Sequence, residues 1–441
     1  MSCVLILWLL TKSFLIKYVV TNHMDLKEII KEQREELEEI EQQEKLVPRE
    51  GFERAKKALT FPNILVITGI RRCGKSIFAY LLSKGMSAGY INFDDERIAN
   101  LKTEDLNLVM TTFYELYGDV QYVVLDEIQN VDKWELFANR LRRSKKVILT
   151  GSNSNLLSGE LSTHLTGRYL DIKLFPFSFN EFLVKKGFQI SSAYTSKEKA
   201  EILRLLREYL DNGGFPEIHK FGSEVVLRVY NDIITKDILL RHGIRKIEKL
   251  KMLAKYLITN SSQEFTYSKL AEVLDIKQIP TISNWVSYLE NSFLLFKLER
   301  FDFKLKKQFL SPKKIYCIDP GIIHSIGFKF SENSGRLMEN LVAIELQRKK
   351  QALYKLEVYY WKNHQQNEVD FVLKEGKSVT QLIQVTYANS KEEIKERELN
   401  SLVKAGKALR CKKLIVITWN YESSEKGITF IPLWKWLMGY K

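Results

Sequence analysis

The stretch ILVITGIRRCGKSIFAYLL, residues 64–82, decides the reading of this chain. An apolar, β-branched run ends in Gly69, a short basic loop bounded by glycines follows, and apolar residues return at helical spacing from Lys75 onward. Strand, glycine loop and helix is the order that the pattern GxxxxGK[ST] requires, and Gly69, Gly74, Lys75 and Ser76 meet it. Such a loop turns its backbone N–H groups, and the positive end of the next helix, toward a phosphate. Gly69, Ile70, Arg71, Arg72, Cys73, Gly74, Lys75, Ser76 and Ile77 are therefore expected to hold a nucleotide. In that arrangement the Lys75 ammonium meets the β and γ oxygens, and the Ser76 hydroxyl ligates Mg²⁺.

The chain has 441 residues, room for about two to four domains, and 45% of them are hydrophobic, enough for real cores. A formal charge of +14 makes nucleic acid or another anionic surface a plausible partner, though charge alone does not locate it. Cys3, Cys73, Cys317 and Cys411 form no CxxC pair, which argues against a zinc site or disulfide framework and fits a reducing cytoplasm. Residues 1–23 are apolar but carry Lys12 and Lys17, and their longest uncharged run falls short of the ~20 residues of a membrane span. They read as an upstream extension before a start at Met24, with a weak membrane anchor as the alternative; no stable membrane association is expected. Residues 24–50 form a charged helix that places Leu26, Ile29, Ile30, Leu37 and Ile40 on one docking face.

Downstream of the loop, Tyr90 to Phe93 reads as a short strand, and QYVVLDEIQN as a buried parallel strand, Tyr122 to Leu125, ending in Asp126 and Glu127. Asp126 is expected to hold Mg²⁺ through water, and Glu127 to orient or deprotonate the attacking water. The next apolar run, Val147 to Leu149, ends in Thr150, Gly151, Ser152 and Asn153. Ligands collect at the carboxyl edges of parallel strands, so Asn153 or Ser152 is a candidate sensor of the γ-phosphate; a plain Gly/Ser/Asn turn is the competing reading. Arg168 precedes a further strand and is a candidate arginine finger, or simply a solvated arginine.

Taken together, TGIRRCGKS, YVVLDEIQ, LTGSNS, LTGRYLDIKLFPFSFNEFL and YLDNGGFPEI resemble a family of prokaryotic, often archaeal, AAA+ ATPases that join this core to a C-terminal domain of unknown function. The resemblance implies ATP binding and hydrolysis. It also implies an α/β architecture: a P-loop NTPase core with a parallel sheet of the AAA+ (ASCE) type, then a helical region, a winged helix-turn-helix and a degenerate restriction-endonuclease-like domain.

The expected boundaries are 51–180 for the ATPase core, 181–245 for a helical connection, 246–330 for the winged helix-turn-helix and 331–441 for the nuclease-like domain. FTYSKLAEVLDI and IPTISNWVSYLEN read as two helices around a tight turn, and FLLFKLERF and KKIYCI as wing strands. From Lys297 to Lys314 seven basic residues face two acidic ones, and Lys304, Lys306, Lys307, Lys313 and Lys314 are expected to contact DNA phosphates. The second helix has no Lys or Arg between Pro280 and Glu290, so base reading looks poor. In the last domain the resemblance to PD-(D/E)xK nucleases maps Glu339 and Asp370 onto the first two acidic positions. Gln384 and Thr386 stand where the third acid and the lysine belong, which implies an inactive nuclease fold.

The expectation is an ATP- and Mg²⁺-dependent ATPase whose hydrolysis rearranges DNA- or partner-binding C-terminal domains, in the cytoplasm, with a homo-oligomer possible. A nucleic-acid-binding module with structural ATP, and a metal-dependent nuclease, are the alternatives.

Overall fold

The computed structural model describes residues 26–156, 165–191, 193–327 and 334–439, so the expected extension 1–23 and start at Met24 lie outside it. Two compact units emerge: one of residues up to Gly69 with Gly74–Leu174, the other of Ile70–Cys73 with Phe175 onward.

In the first unit, five short strands form: β1 (Ile64–Thr68), β2 (Ala88–Asn92), β3 (Tyr122–Asp126), β4 (Lys146–Gly151) and β5 (Tyr169–Lys173). All pair in parallel in the order β2-β3-β4-β1-β5. Strands buried on both faces read as continuous apolar runs rather than alternating ones, as β1 and β3 do. The strand that separates β1 from β3 in space is β4, while β2, which lies between them in the sequence, takes the edge. That order is the one expected of a P-loop core with an additional strand. The core includes Ile64, Val66, Val123, Leu125, Val147 and Phe113, and the helix 26–43 adds Leu26, Ile29 and Ile30 to it. Leu37 is also buried, whereas Ile40, expected on the same face, is exposed. Gly89 in β2 is dictated by packing: a Cβ there would come within 2.4 Å of the Phe113 ring.

The second unit opens with helices. Phe179–Lys185 and Ser196–Asn212 each start with a reciprocal capping box, Ser178 with Glu181 and Thr195 with Glu198, which satisfies two of the otherwise orphaned N–H groups. Gly213 ends the longer helix at φ 85°, and its missing Cβ leaves room for the buried Asp319, whose carboxylate accepts from the Gly214 N–H (2.7 Å). Helix Glu224–Asp232 runs into a π-helical turn, Ile233–Leu240.

Next come helix Ile247–Thr259, β6 (Glu264–Phe265), helices Tyr267–Val273 and Ile279–Asn291, β7 (Leu295–Leu298) and β8 (Lys313–Cys317), the strands forming an antiparallel sheet β6-β8-β7. The chain ends in a six-stranded mixed sheet, β13-β14-β12-β11-β10-β9. Its strands are β9 (Leu356–Lys362), β10 (Glu368–Glu375), β11 (Ser378–Val385), β12 (Leu414–Thr418), β13 (Ser423–Glu425) and β14 (Ile428–Pro432), accompanied by helices Ser334–Ala352 and Glu396–Ala408. No helix among the described residues is long and apolar enough to cross a membrane.

Candidate functional site

The loop between β1 and helix Lys75–Ser83 takes the backbone that its glycines permit: φ is 154° at Gly69 and 96° at Gly74, and Arg72 joins them at 61°. Ile70 and Cys73 bury their side chains completely, leaving backbone as what they can offer a ligand. Lys75 is almost fully buried and its ammonium lies 3.1 Å from Glu127 Oε1. The sheet thus brings the loop lysine and the expected catalytic carboxylate together at its carboxyl edge.

Asp126 is fully buried and ringed by hydroxyls. Tyr90 donates to Oδ2 at 2.6 Å, Thr150 donates to Oδ1, and Ser76 also hydrogen-bonds the carboxylate. Burial, then the neighbouring Glu127 charge, raises the Asp126 pKa, and the hydroxyls act in the opposite direction. Glu127 takes a left-handed conformation (φ 51°), its N–H donates to Thr150 Oγ (3.0 Å), and its Oε2 accepts from Gln129 Nε2 (2.5 Å) and the Ser152 N–H (3.1 Å). A non-glycine residue held at positive φ by this many contacts is a mark of a site whose geometry is set in advance.

Polar atoms that nothing satisfies gather at the same edge. Thr68 Oγ, at the end of β1, and Ser152 Oγ, just past β4, are buried without a hydrogen-bond partner, and Thr68 is paired in register with Gly151. Buried orphan hydroxyls call for an explanation, and a phosphate with its water and cation would supply one. The donor set fits Mg²⁺ held by the Ser76 hydroxyl and, through water, by Asp126. Asn153 is buried beside this edge. Tyr90, Thr150 and Gln129 carried no role in the sequence reading; only Thr150, closing an apolar run, was signalled there.

Arg168, the candidate arginine finger, lies away from the phosphate loop of its own chain. Its carbonyl accepts from the Ile64 N–H (3.0 Å), which sets it where β1 begins, at the amino edge of the sheet. The loop leaves β1 at the other end, about 13 Å away at a rise of ~3.3 Å per residue. Its guanidinium donates to Asn139 Oδ1 (3.4 Å) instead.

The loop tip carries two arginines with carboxylate partners. Arg71 makes a two-pronged contact with the buried Asp237 of the π-helical turn (3.3 and 3.2 Å), and Arg72 reaches Glu217 (3.0 Å) and Asp232 (3.4 Å).

Of the five lysines expected to meet phosphate, Lys304, Lys306 and Lys307 are exposed on and beside helix Leu305–Leu310, alongside exposed Phe303, Leu305, Phe309 and Leu310. Lys313 is half-buried and donates to the Phe309 and Ser311 carbonyls. Lys314 is not available to a phosphate: it is 2% exposed, because side chains of adjacent residues in a strand point to opposite faces and Lys314 takes the inner one. There its ammonium meets Glu368 (2.7 Å), Glu339 (2.9 Å) and Asp370 (3.1 Å). A lysine absent from its expected place near Thr386 is thus present beside the acids from another strand.

A model of the AAA domain matches residues 62–183, and two domains of unknown function, DUF8612 and DUF4143, match 203–333 and 334–436. An uncharacterized protein of Methanocaldococcus jannaschii is 36% identical over 406 residues, 86% of this chain and 89% of that one. An uncharacterized protein of Haemophilus influenzae is 31% identical over 398 residues, 85% of this chain and 94% of that one. Among solved structures, a Walker-type ATPase of Pyrococcus abyssi aligns at a TM-score of 0.39 with 16% identity, covering 63% of this chain and 95% of that one.

Proposed function

The chain belongs to the family of AAA-domain proteins that it shares with these Methanocaldococcus and Haemophilus relatives, and from that premise we propose that it is an ATP-hydrolysing switch. The observation that carries the proposal is the joint placement of Lys75, Ser76, Asp126 and Glu127 at one sheet edge, with the unsatisfied Thr68 and Ser152 hydroxyls beside them. The loop N–H groups and Lys75 bind the β- and γ-phosphates. Ser76 and, through water, Asp126 would hold Mg²⁺, which would supply positive charge to the phosphate oxygens. Drawing Lys75 toward the γ-phosphate loosens its pair with Glu127, which frees that carboxylate to orient a water and take its proton. Asn153 and Ser152 lie where the same water or phosphate can be sensed.

Arg71 and Arg72 supply the route outward. They tie the loop tip to the π-helical turn and to the helices around it, so a phosphate that reshapes the loop bears on Asp237, Asp232 and Glu217. We read the β6-β8-β7 module as a winged helix and the six-stranded module as nuclease-like, with exposed Lys304, Lys306 and Lys307 as the surface for DNA phosphates. Arg168, at the far edge of its own sheet, could lend charge only to a second copy of the chain.

Steady-state ATP hydrolysis tests the reading. Lys75→Ala abolishes nucleotide binding, whereas Glu127→Gln keeps ATP bound and lowers turnover by about 10²–10³, the range for losing one group that acts mainly in the transition state. Glu127→Gln turning over at the wild-type rate would remove Glu127 as the base. A wild-type protein that binds ATP with no turnover, with or without DNA, would favour ATP as a structural ligand.

A further inference from the structure

The acidic pocket of the C-terminal module raises a question of charge. Glu339 comes from helix Ser334–Ala352 and Asp370 from β10, and both are buried. Two buried carboxylates in one pocket repel each other and are costly to keep ionised without a cation. Metal-dependent nucleases meet that need with a divalent ion. Here a cation is already present: the Lys314 ammonium lies 2.9 Å from Glu339 Oε1 and 3.1 Å from Asp370 Oδ1, bridging the two acids.

Further hydrogen bonds hold both carboxylates. Asp370 Oδ2 accepts from Gln384 Nε2 (2.7 Å) and from the Val385 N–H (3.0 Å), and Glu339 Oε1 also accepts from the Tyr316 hydroxyl (2.8 Å). Glu368 completes the set around Lys314 and is shared with Lys362 at 3.3 Å. Burial opposes the charge on Lys314, but the carboxylates of Glu339, Asp370 and Glu368 outweigh it and keep the ammonium protonated well above the ordinary range. The residues present do not fit a divalent metal.

We propose that Lys314 is the resident cation of this pocket, standing in the place of a catalytic metal, so that the C-terminal module is a metal-free scaffold rather than a nuclease. The lysine arrives on β8, whereas the acids sit on the helix and strand that follow. One ammonium therefore offsets part of the pocket's negative charge and pins the three-stranded sheet to the six-stranded one. This inference stands apart from the nucleotide reading and uses none of that site's residues.

Mn²⁺ titration of the nucleotide-free full chain, followed by electron paramagnetic resonance, tests it. The wild type and Asp370→Asn bind the same number of Mn²⁺ ions. Lys314→Met, which keeps the aliphatic stem and removes the charge, gains one Mn²⁺ per chain, and adding Asp370→Asn to that background removes it again. A wild-type Mn²⁺ site that Asp370→Asn abolishes would overturn the proposal, as would plasmid cleavage with Mg²⁺ or Mn²⁺ that is lost in the same variant. A folded Lys314→Met that gains no ion would also overturn it. Should Lys314→Met fail to fold, Lys314→Met/Glu339→Gln, with one carboxylate fewer to neutralise, recovers the folded state; a double variant no more stable than the single one would count against the counter-ion role.

Discussion

Lys75 and Lys314 are both buried cations facing carboxylates, and the difference between them lies in how many carboxylates hold each. Lys75 meets one carboxylate oxygen of Glu127, while two buried hydroxyls at the same sheet edge, on Thr68 and Ser152, find no partner. Lys314 meets three carboxylates, and in its pocket two oxygens find no partner, the Gln384 carbonyl and Oε2 of Glu398, whose carboxylate lies against Thr386 and Asp370. A cation held by three carboxylates belongs to the fold. A lysine beside a glycine loop and orphaned hydroxyls is available for a ligand. Orphaned oxygens and the pairing of lysine with acids are common to both sites, so it is the number of carboxylates that hold the cation, one for Lys75 and three for Lys314, that separates a candidate active site from a structural one.

The largest expected effect separates the two directly. Removing one partner from a buried, hydrogen-bonded ion cluster leaves uncompensated charge and costs about 3–5 kcal/mol. Lys314→Met should show a loss of that order in denaturant unfolding, with nucleotide affinity unchanged in whatever fraction stays folded. Lys75→Met should show the reverse: nucleotide binding lost, and stability lowered by only about 1 kcal/mol, because Glu127 keeps its bonds from Gln129 and Ser152. If Lys314→Met proves as mild as Lys75→Met, the two sites are not different in kind.

How much of this was legible follows from what each signal depends on. The phosphate loop and β3 with its terminal Asp126 are local patterns, an apolar run followed by glycines or acids, and their boundaries fall where periodicity put them. The ring of hydroxyls around Asp126 is not local. Tyr90 and Thr150 reach it from β2 and β4, on either side of β3, and only the sheet order makes those strands neighbours. Lys314 escaped for a related reason. The nuclease resemblance puts a lysine two residues beyond an acid on one strand, where the period of two places them on the same face. The lysine found stands 25 residues before Glu339 and 56 before Asp370, on a different sheet. The basic run from Lys297 to Lys314 looked uniformly solvated because it was counted as charge; alternation along β8 already separates Lys313 from Lys314.

A middle-sized effect sharpens the hydroxyl ring. The Thr150 hydroxyl accepts from the Glu127 N–H and donates to Asp126, so it fixes the strained backbone of the base and the carboxylate beside it at once. Thr150→Val keeps the shape and removes both bonds. We expect kcat to fall about tenfold, roughly 1.4 kcal/mol, with nucleotide affinity nearly unchanged. A matching loss of affinity would mean that Thr150 supports the loop rather than the reacting edge. The corresponding change in the other pocket, Gln384→Ala, should leave ATP turnover untouched.

The smallest expected effect concerns Arg168, which the sequence put forward as a finger and the sheet places at the opposite edge from its own loop. If the nucleotide site is complete within one chain, Arg168→Ala leaves both ATP affinity and turnover at wild-type values, because its guanidinium contact to Asn139 lies far from the phosphates. A fall in turnover with affinity retained would instead indicate a second copy contributing the arginine. Mixing decides between that and a folding defect: Arg168→Ala and Lys75→Ala are each deficient alone, but a mixed assembly pairs an intact loop from the first with an intact arginine from the second. Recovery of turnover on mixing would place the arginine in trans, and a turnover that stays low would trace the loss to the Arg168 chain itself.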